Sequence, residues 1–346
     1  MVRKVKSLSI LLPVWKETPA NVRDSIEAMK GLRYPNKEIL FIFEPEERDE
    51  AKIVREAGFK VIFTDGEPRL KAHALNMGLA ASKGEIIAIY DVDTFPEPDQ
   101  AMKAIRAIEE GGYDVVSGYP LSSTETLLQR MRTIDLLDWC SSTTIRSLPA
   151  PSGYGSYFRR EVLEEIGGWD EDTVTEDADL GIKLGLKNYK FGVINSPVYG
   201  ESSGGFKNIL FQRVRWIKGS FQIGRKWKSK TKGMSYRKRI EFYSTYQGLY
   251  GSLFMPVQLL VTLYCIYLLV IGVRSFYLWI LPLSLLFDYV TTVLITTRRQ
   301  LVKIDGLSLR DHLFYPIYKW LFYPLAVWMG FIQWKRRPMY WYRTRR

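Results

Sequence analysis

Short apolar runs separated by polar, helically spaced stretches dominate the first 120 residues. Residues 7–14 (SLSILLPV) are apolar and end in turn residues, the pattern of a buried strand. Thr18 and Pro19 follow as a cap and a first-turn proline, and Val22, Ile26 and Met29 recur at helical spacing. The alternation continues, with strands over 38–43, 59–64, 85–90 and 113–118 and helices over 51–57, 71–81 and 101–110. Strands alternating with helices predict an α/β fold, a mostly parallel sheet covered by helices on both faces. Ligands in such sheets bind beyond the carboxyl ends of the strands. Residues 85–90 (EIIAIY) run straight into Asp91-Val92-Asp93 at that place.

After Pro120 the alternation stops. Residues 122–146 and 179–186 read as helices, residues 154–158 as a strand-like patch, and residues 206–227 as an amphipathic helix. From Leu249 the chain becomes aliphatic and aromatic. Residues 249–273 are 25 positions without a charge, about 37 Å as a helix and enough to span a bilayer. Residues 275–297 form a second apolar stretch with one charge, Asp288, and residues 313–334 a third, interrupted by Pro316, Lys319 and Pro324. The pattern predicts an α/β domain over 1–235 and a membrane region over 236–346, with two or three hydrophobic helices and a basic tail.

Charge sharpens this picture. The net charge is +12, and residues 225–239 hold eight basic side chains and no acidic one, with six more over 335–346. Both runs flank hydrophobic segments, so they read as contacts to anionic membrane lipids and not to nucleic acid. The positive-inside rule then places the front domain in the cytoplasm of a multi-pass protein of the cell membrane. A third full crossing would carry the basic C-terminus outward, so the third stretch reads as interfacial or re-entrant. Asp288 reads as lying near the interface or paired with a neighbour, ahead of a contact to a polar lipid head. Two cysteines and two histidines, widely separated, exclude a disulfide framework and a zinc site of those ligands.

Three polar signatures carry the candidate chemistry. Asp91 and Asp93, one residue apart at a strand end, can hold Mg²⁺ or Mn²⁺ against a diphosphate, or simply form a polar loop. Glu176-Asp177 precedes a helix; acids are favoured there as caps, and a general base for an acceptor hydroxyl has the same address. In the helix over 206–227, Gln212, Arg215 and Trp216 fall on one turn. Arginine grips diphosphates with its planar fork, and tryptophan stacks on sugar rings. An amphipathic helix lying on a membrane has the same pattern.

In this order the motifs resemble those of the membrane-bound family 2 glycosyltransferases, the group of the cellulose, hyaluronan and poly-N-acetylglucosamine synthases. They are Leu12-Pro13-Val14, Lys71-Ala72-His73-Ala74-Leu75-Asn76, Asp91-Val92-Asp93, Thr175-Glu176-Asp177 and Gln212-x-x-Arg215-Trp216. Trp341-x-x-Thr344-Arg345 is similar to a gating element of those synthases. The resemblance implies a GT-A nucleotide-sugar-binding domain followed by interfacial and transmembrane helices. It implies an inverting, metal-dependent transfer with Asp177 as base beside Glu176. Asp93 would hold the metal, Lys71 and Asp91 would lie near the nucleotide, Gln212 and Arg215 would face the diphosphate, and Trp216 would floor the acceptor.

The chain departs from the family in places. Glu44 stands where the family often carries an aspartate that holds uracil, which leaves the base of the donor, a UDP- or GDP-sugar, open. His73 stands where glycine is common. Two or three helices do not enclose a polysaccharide channel by themselves, which favours a lipid-linked or membrane-proximal glycan acceptor. The alternatives are a polyprenyl-phosphate sugar synthase, a non-catalytic nucleotide-binding membrane scaffold and a nucleotidyltransferase.

Overall fold

The computed structural model describes residues 5–46, 48–65, 71–122, 124–143, 146–200, 205–298, 306–337 and 339. The first half alternates as its hydrophobic pattern predicts. β1 (Leu8–Val14), α1 (Pro19–Gly31), β2 (Lys37–Phe43), α2 (Arg48–Glu56) and β3 (Lys60–Phe63) lead to α3 (Lys71–Ala81) and β4 (Ile86–Ile89). Thr18 caps α1, accepting from the Asn21 amide at 3.2 Å. A short β5 (Thr94–Pro96), α4 (Gln100–Glu110) and β6 (Val115–Ser122) follow, then α5 (Leu127–Thr143), β7 (Ser156–Arg159), α6 (Arg160–Glu165), α7 (Glu176–Leu186) and β8 (Phe191–Gly200). The rest is helical: α8 (Phe206–Trp227), α9 (Tyr236–Phe242), α10 (Gly248–Ser252), α11 (Met255–Val270), α12 (Ile280–Arg298) and α13 (Leu309–Arg336).

The eight strands form one sheet in the order β3-β2-β1-β4-β7-β6-β8-β5. β3, β2, β1 and β4 are parallel, but β7 runs antiparallel between β4 and β6, and β5 antiparallel to β8. β6 and β8 pair parallel, so four of the seven pairings are parallel and the sheet is mixed, with β7 and β5 as its two reversed strands. The helix between β6 and β7, α5, clusters with the second unit, and β7 pairs antiparallel with both of its neighbours.

Period-two burial builds two cores. Leu8, Ile10, Leu12 and Val14 of β1, with Ile39, Phe41 and Phe43 of β2 and Ile86 and Ala88 of β4, meet α1, α2 and α4 on one face. Leu11, Leu40, Ile42, Ile87 and Ile89 meet α3, α6 and α7 on the other.

The chain divides into two compact units, Met1–Ser122 with Ser142–Glu201 and Ser229–Arg239, and Ser123–Ser141 with Ser202–Lys228 and Ile240–Arg346. The first holds the sheet. In the second, α5, α8 and α13 share a core of Met131, Ile134, Ile209, Leu210, Val214, Ile217, Phe221, Tyr318, Phe322, Ala326 and Val327. The division is not the single cut near residue 235 that hydropathy draws, because α5 and α8 cluster with the C-terminal helices.

The apolar region also differs in detail. The 25-residue stretch is not one helix. Pro256 starts α11 in its first turn, having no N–H to continue a helix from before it, and the 16 residues of α11 rise about 24 Å. One stretch among the described residues, Phe276–Thr297, is helical, long and apolar enough to cross a membrane, and its large apolar side chains are mostly exposed. The third stretch runs unbroken through Pro316 and Pro324 as the 28-residue α13, because its inner face is packed along α8. Asp288 is paired: the Trp320 indole donates to it at 2.7 Å.

Candidate active site

The carboxyl ends of the parallel strands carry the acidic residues. β4 ends at Ile89, and Asp91 follows in a turn pinned by Thr94, whose amide and hydroxyl donate to the Asp91 carbonyl at 3.1 and 2.7 Å. Asp93 sits in the same turn and is buried. Glu44 follows β2 on the same edge of the sheet. It is buried, and the Thr64 hydroxyl donates to it at 3.0 Å.

Lys71, the first residue of α3, joins these groups. Its ammonium contacts the Asp91 carboxylate, donates to the Gly153 carbonyl at 2.7 Å and lies 3.9 Å from Glu176. Burial alone would lower its pKa, but the carboxylates of Asp91, Glu176 and Asp177 outweigh that and raise it above the ordinary 10.5. Lys71 is therefore a permanent cation, 17% exposed, ringed by three acids.

Asp177 occupies the first turn of α7, where one carboxylate oxygen accepts from the Ala178 amide at 2.8 Å. Its other oxygen faces Gly153, and a Cβ built there would come within 3.0 Å of it. The structure thus brings Lys71, Asp91, Glu176 and Asp177 together around the Gly153 backbone, with Asp93 in the same turn as Asp91. Gly153 escapes sequence reasoning because its place depends on a contact 82 residues away from Lys71.

The Lys71–Asn76 motif has a second duty. The Asn76 side chain exchanges hydrogen bonds with Trp169, donating to its carbonyl at 2.8 Å and accepting from its amide at 2.9 Å. His73 lies between Asp65 and Glu171, at 2.9 and 3.1 Å. These bonds fasten residues 168–171 ahead of Glu176-Asp177. Gly168 is required twice over, since its φ is +64° and a Cβ would lie 2.5 Å from the Asn76 oxygen. The Gly167-Gly168-Trp169-Asp170 run is the signal that would have marked this loop in the sequence.

Asp91 and Asp93 offer hard carboxylate oxygens beside a lysine, a donor set that suits Mg²⁺ or Mn²⁺ shared with phosphate. Asp170, Asp172 and Asp179 also lie within 4.8 Å of one another. Lys183 contacts Asp170 and donates to the Gly168 carbonyl at 3.0 Å, offsetting one of the three charges of this group.

The third signature belongs to the second unit. Gln212 is buried on α8, and Arg215 and Trp216 are half-buried one turn on. One face of the Trp216 ring is covered by the Arg213 guanidinium at 4.7 Å, and Arg213 also contacts Asp135 of α5. α8 is the packed centre of its unit and not an isolated surface helix. Trp341, Thr344 and Arg345 lie outside the described residues.

Comparison with known proteins decides the family. The family described as glycosyl transferase family group 2 matches residues 86–291, more than half of the chain. The chain belongs to that family. This glycosyltransferase is 24% identical to the probable glycosyltransferase YdaM of Bacillus subtilis, over 100% of its own length and 88% of the relative's. It is 28% identical to a poly-beta-1,6-N-acetyl-D-glucosamine synthase of Staphylococcus epidermidis, over 64% of its length and 56% of that protein's. It thus spans about half of that relative, and the resemblance drawn from the five motifs holds. A mannosyltransferase from Pyrobaculum calidifontis, solved with GDP-Man and Mn²⁺, superposes with a TM-score of 0.56 at 16% identity, covering 96% of this chain and 88% of that one. The likeness shows a shared GT-A-like fold.

Proposed function

We propose that this glycosyltransferase moves a sugar with inversion from a nucleotide diphosphate sugar to a hydroxyl of a lipid-linked or membrane-proximal glycan. The observation that carries this reading is the Lys71 cluster: one lysine amid Asp91, Glu176 and Asp177, next to the Asp93 turn. A bound divalent cation on Asp93 would neutralise charge on the departing diphosphate. Lys71 and Asp91 are assigned to the donor's nucleotide end, Glu44 to its base, Gln212 and Arg215 to its diphosphate, and Trp216 to the acceptor sugar. The GDP-Man and Mn²⁺ of the solved mannosyltransferase support a UDP- or GDP-sugar with Mg²⁺ or Mn²⁺.

Asp177 takes the proton of the acceptor hydroxyl as its oxygen bonds to the anomeric carbon. The bond to the diphosphate breaks, and its electron pair leaves with the nucleotide. The Lys71 ammonium attracts both Asp177 and Glu176 and so favours the carboxylate form of Asp177 beside its acidic neighbour. The exposed α11 and α12 and the basic run before them support a multi-pass anchor in the cell membrane, with the sheet domain in the cytoplasm and the acceptor arriving from the lipid phase.

A donor screen by nucleotide release, with and without Mg²⁺ or Mn²⁺, identifies the substrate. With that donor, Asp177→Asn is expected to lower transfer by at least about a thousandfold while donor affinity stays within about threefold. Turnover near the wild-type rate removes Asp177 from the role of base.

A further inference from the structure

Tyr90 and Gln100 stand at the two ends of the turn that carries Asp91 and Asp93, and both side chains are fully buried. The Tyr90 hydroxyl donates to the Gln100 amide oxygen, and the Tyr157 hydroxyl lies 2.6 Å from that of Tyr90. The Gln100 nitrogen faces three acceptors of β8, the Ser196 carbonyl and hydroxyl and the Pro197 carbonyl, at 3.3, 3.2 and 3.0 Å. Those acceptors fix the amide's orientation. Its oxygen must then receive the Tyr90 proton, and Tyr157 must donate to Tyr90.

The same loop is tied at its middle. Thr94 holds the Asp91 carbonyl, and β5 pairs with β8 from Thr94↔Gly200 to Pro96↔Val198. Glu97 accepts from Ser196 and from Lys103, both at 2.8 Å. Gly118 leaves the space for the amide, since a Cβ there would lie 2.7 Å from the Gln100 nitrogen. Phenylalanine and leucine would fill the same volume without desolvating polar groups. A buried network whose members are matched rigidifies what it joins, and this one joins both ends of one acidic turn.

We propose that Tyr90, Gln100 and Tyr157 are positioning residues that lock the Asp91–Pro96 turn and thereby set its affinity for a divalent cation. The inference rests on the reading of Asp93 as cation ligand. None of the three touches the cation; they act by holding the carboxylates of Asp91 and Asp93 in place before it arrives.

The test titrates the full chain in detergent with Mn²⁺ alone, following the free Mn²⁺ signal by electron paramagnetic resonance. Tyr90→Phe is expected to weaken Mn²⁺ by about tenfold or more, and Tyr157→Phe, which spares the Tyr90–Gln100 bond, by about threefold or less. In transfer assays the half-saturating Mn²⁺ of Tyr90→Phe rises while kcat at saturating metal falls far less. The double variant removes both hydroxyls, so its melting temperature recovers toward the wild type while its Mn²⁺ affinity stays as weak as that of Tyr90→Phe. Affinity that instead tracks melting temperature across the three variants overturns the proposal. Wild-type affinity in Tyr90→Phe overturns it while leaving the reading of Asp93 intact. No Mn²⁺ binding by the wild type, with or without a nucleoside diphosphate, removes both.

Discussion

Two lysines show how neighbours decide what a residue does. Lys71 and Lys218 are both largely withdrawn from solvent, yet they shift in opposite directions. Three carboxylates surround Lys71 and hold its proton, so it contributes no titration limb between about pH 6 and 9. Lys218 is buried on α8 near Arg215. Burial, with that guanidinium adding to it, pulls Lys218 down from 10.5 to about 8. The unfolded chain therefore keeps its Lys218 proton up to 10.5, and the folded chain only up to about 8. Between those values the unfolded state holds more protons, so stability rises with pH; below about 8 the cost of burying the ammonium is present in full. Lys218→Met removes that cost. It is expected to raise stability at pH 7 by about 1 to 3 kcal/mol and to flatten the rise above pH 8. Thermal unfolding in detergent from pH 7 to 10.5 checks both. A variant no more stable than wild type at pH 7, with the rise unchanged, counts against it.

At the level of elements, α8 and α13 pack closely in the second unit. A Cβ added at Gly330 would lie 3.0 to 3.2 Å from Ile217 side-chain atoms and 3.2 Å from the Val214 carbonyl. Gly330→Leu is expected to wedge the helices apart and cost about 1 to 3 kcal/mol, seen as a lower melting temperature and weaker near-ultraviolet circular dichroism. An unchanged melting temperature would mean the helices slide past each other freely. How much of such structure the sequence reveals depends on range. β1, β2 and β4 are legible because their apolar residues alternate toward two cores. β8 is hidden by Asn195, Ser196 and Pro197, turn-forming residue types that fall at the register shift in its pairing with β6, where Pro197 meets Tyr119. β5 is three residues long and exists only through its pairing with β8. The site divides in the same way. Asp91, Asp93 and Asp177 stand at strand and helix ends that periodicity locates, and Lys71 begins a helix. Gly153 and the Trp169–Glu171 loop reach them only through tertiary hydrogen bonds, which leave no local pattern.

For the whole molecule, hydropathy draws one boundary near residue 235, whereas compactness draws five crossings between two interleaved units. The two divisions predict different behaviour on truncation. If the first 239 residues were self-sufficient, ending the chain there would leave a folded enzyme without its membrane helices. The core of the second unit argues otherwise. Met131 and Ile134 of α5 and Ile209, Leu210, Val214, Ile217 and Phe221 of α8 are buried together with residues of α13. Uncovering seven such side chains at about 1.5 to 3 kcal/mol each gives on the order of 10 kcal/mol or more, as large as the net stability of a typical domain. The sheet keeps its own two cores in such a fragment, so the damage should be local to α5 and α8 and not a global unfolding. Residues 1–239 are therefore expected to retain β-sheet circular dichroism, to bind a hydrophobic dye strongly and to self-associate in sedimentation, while the full chain in detergent does neither. A monodisperse fragment that ignores the dye would show that α5 and α8 do not depend on α13, and would restore the boundary near residue 235.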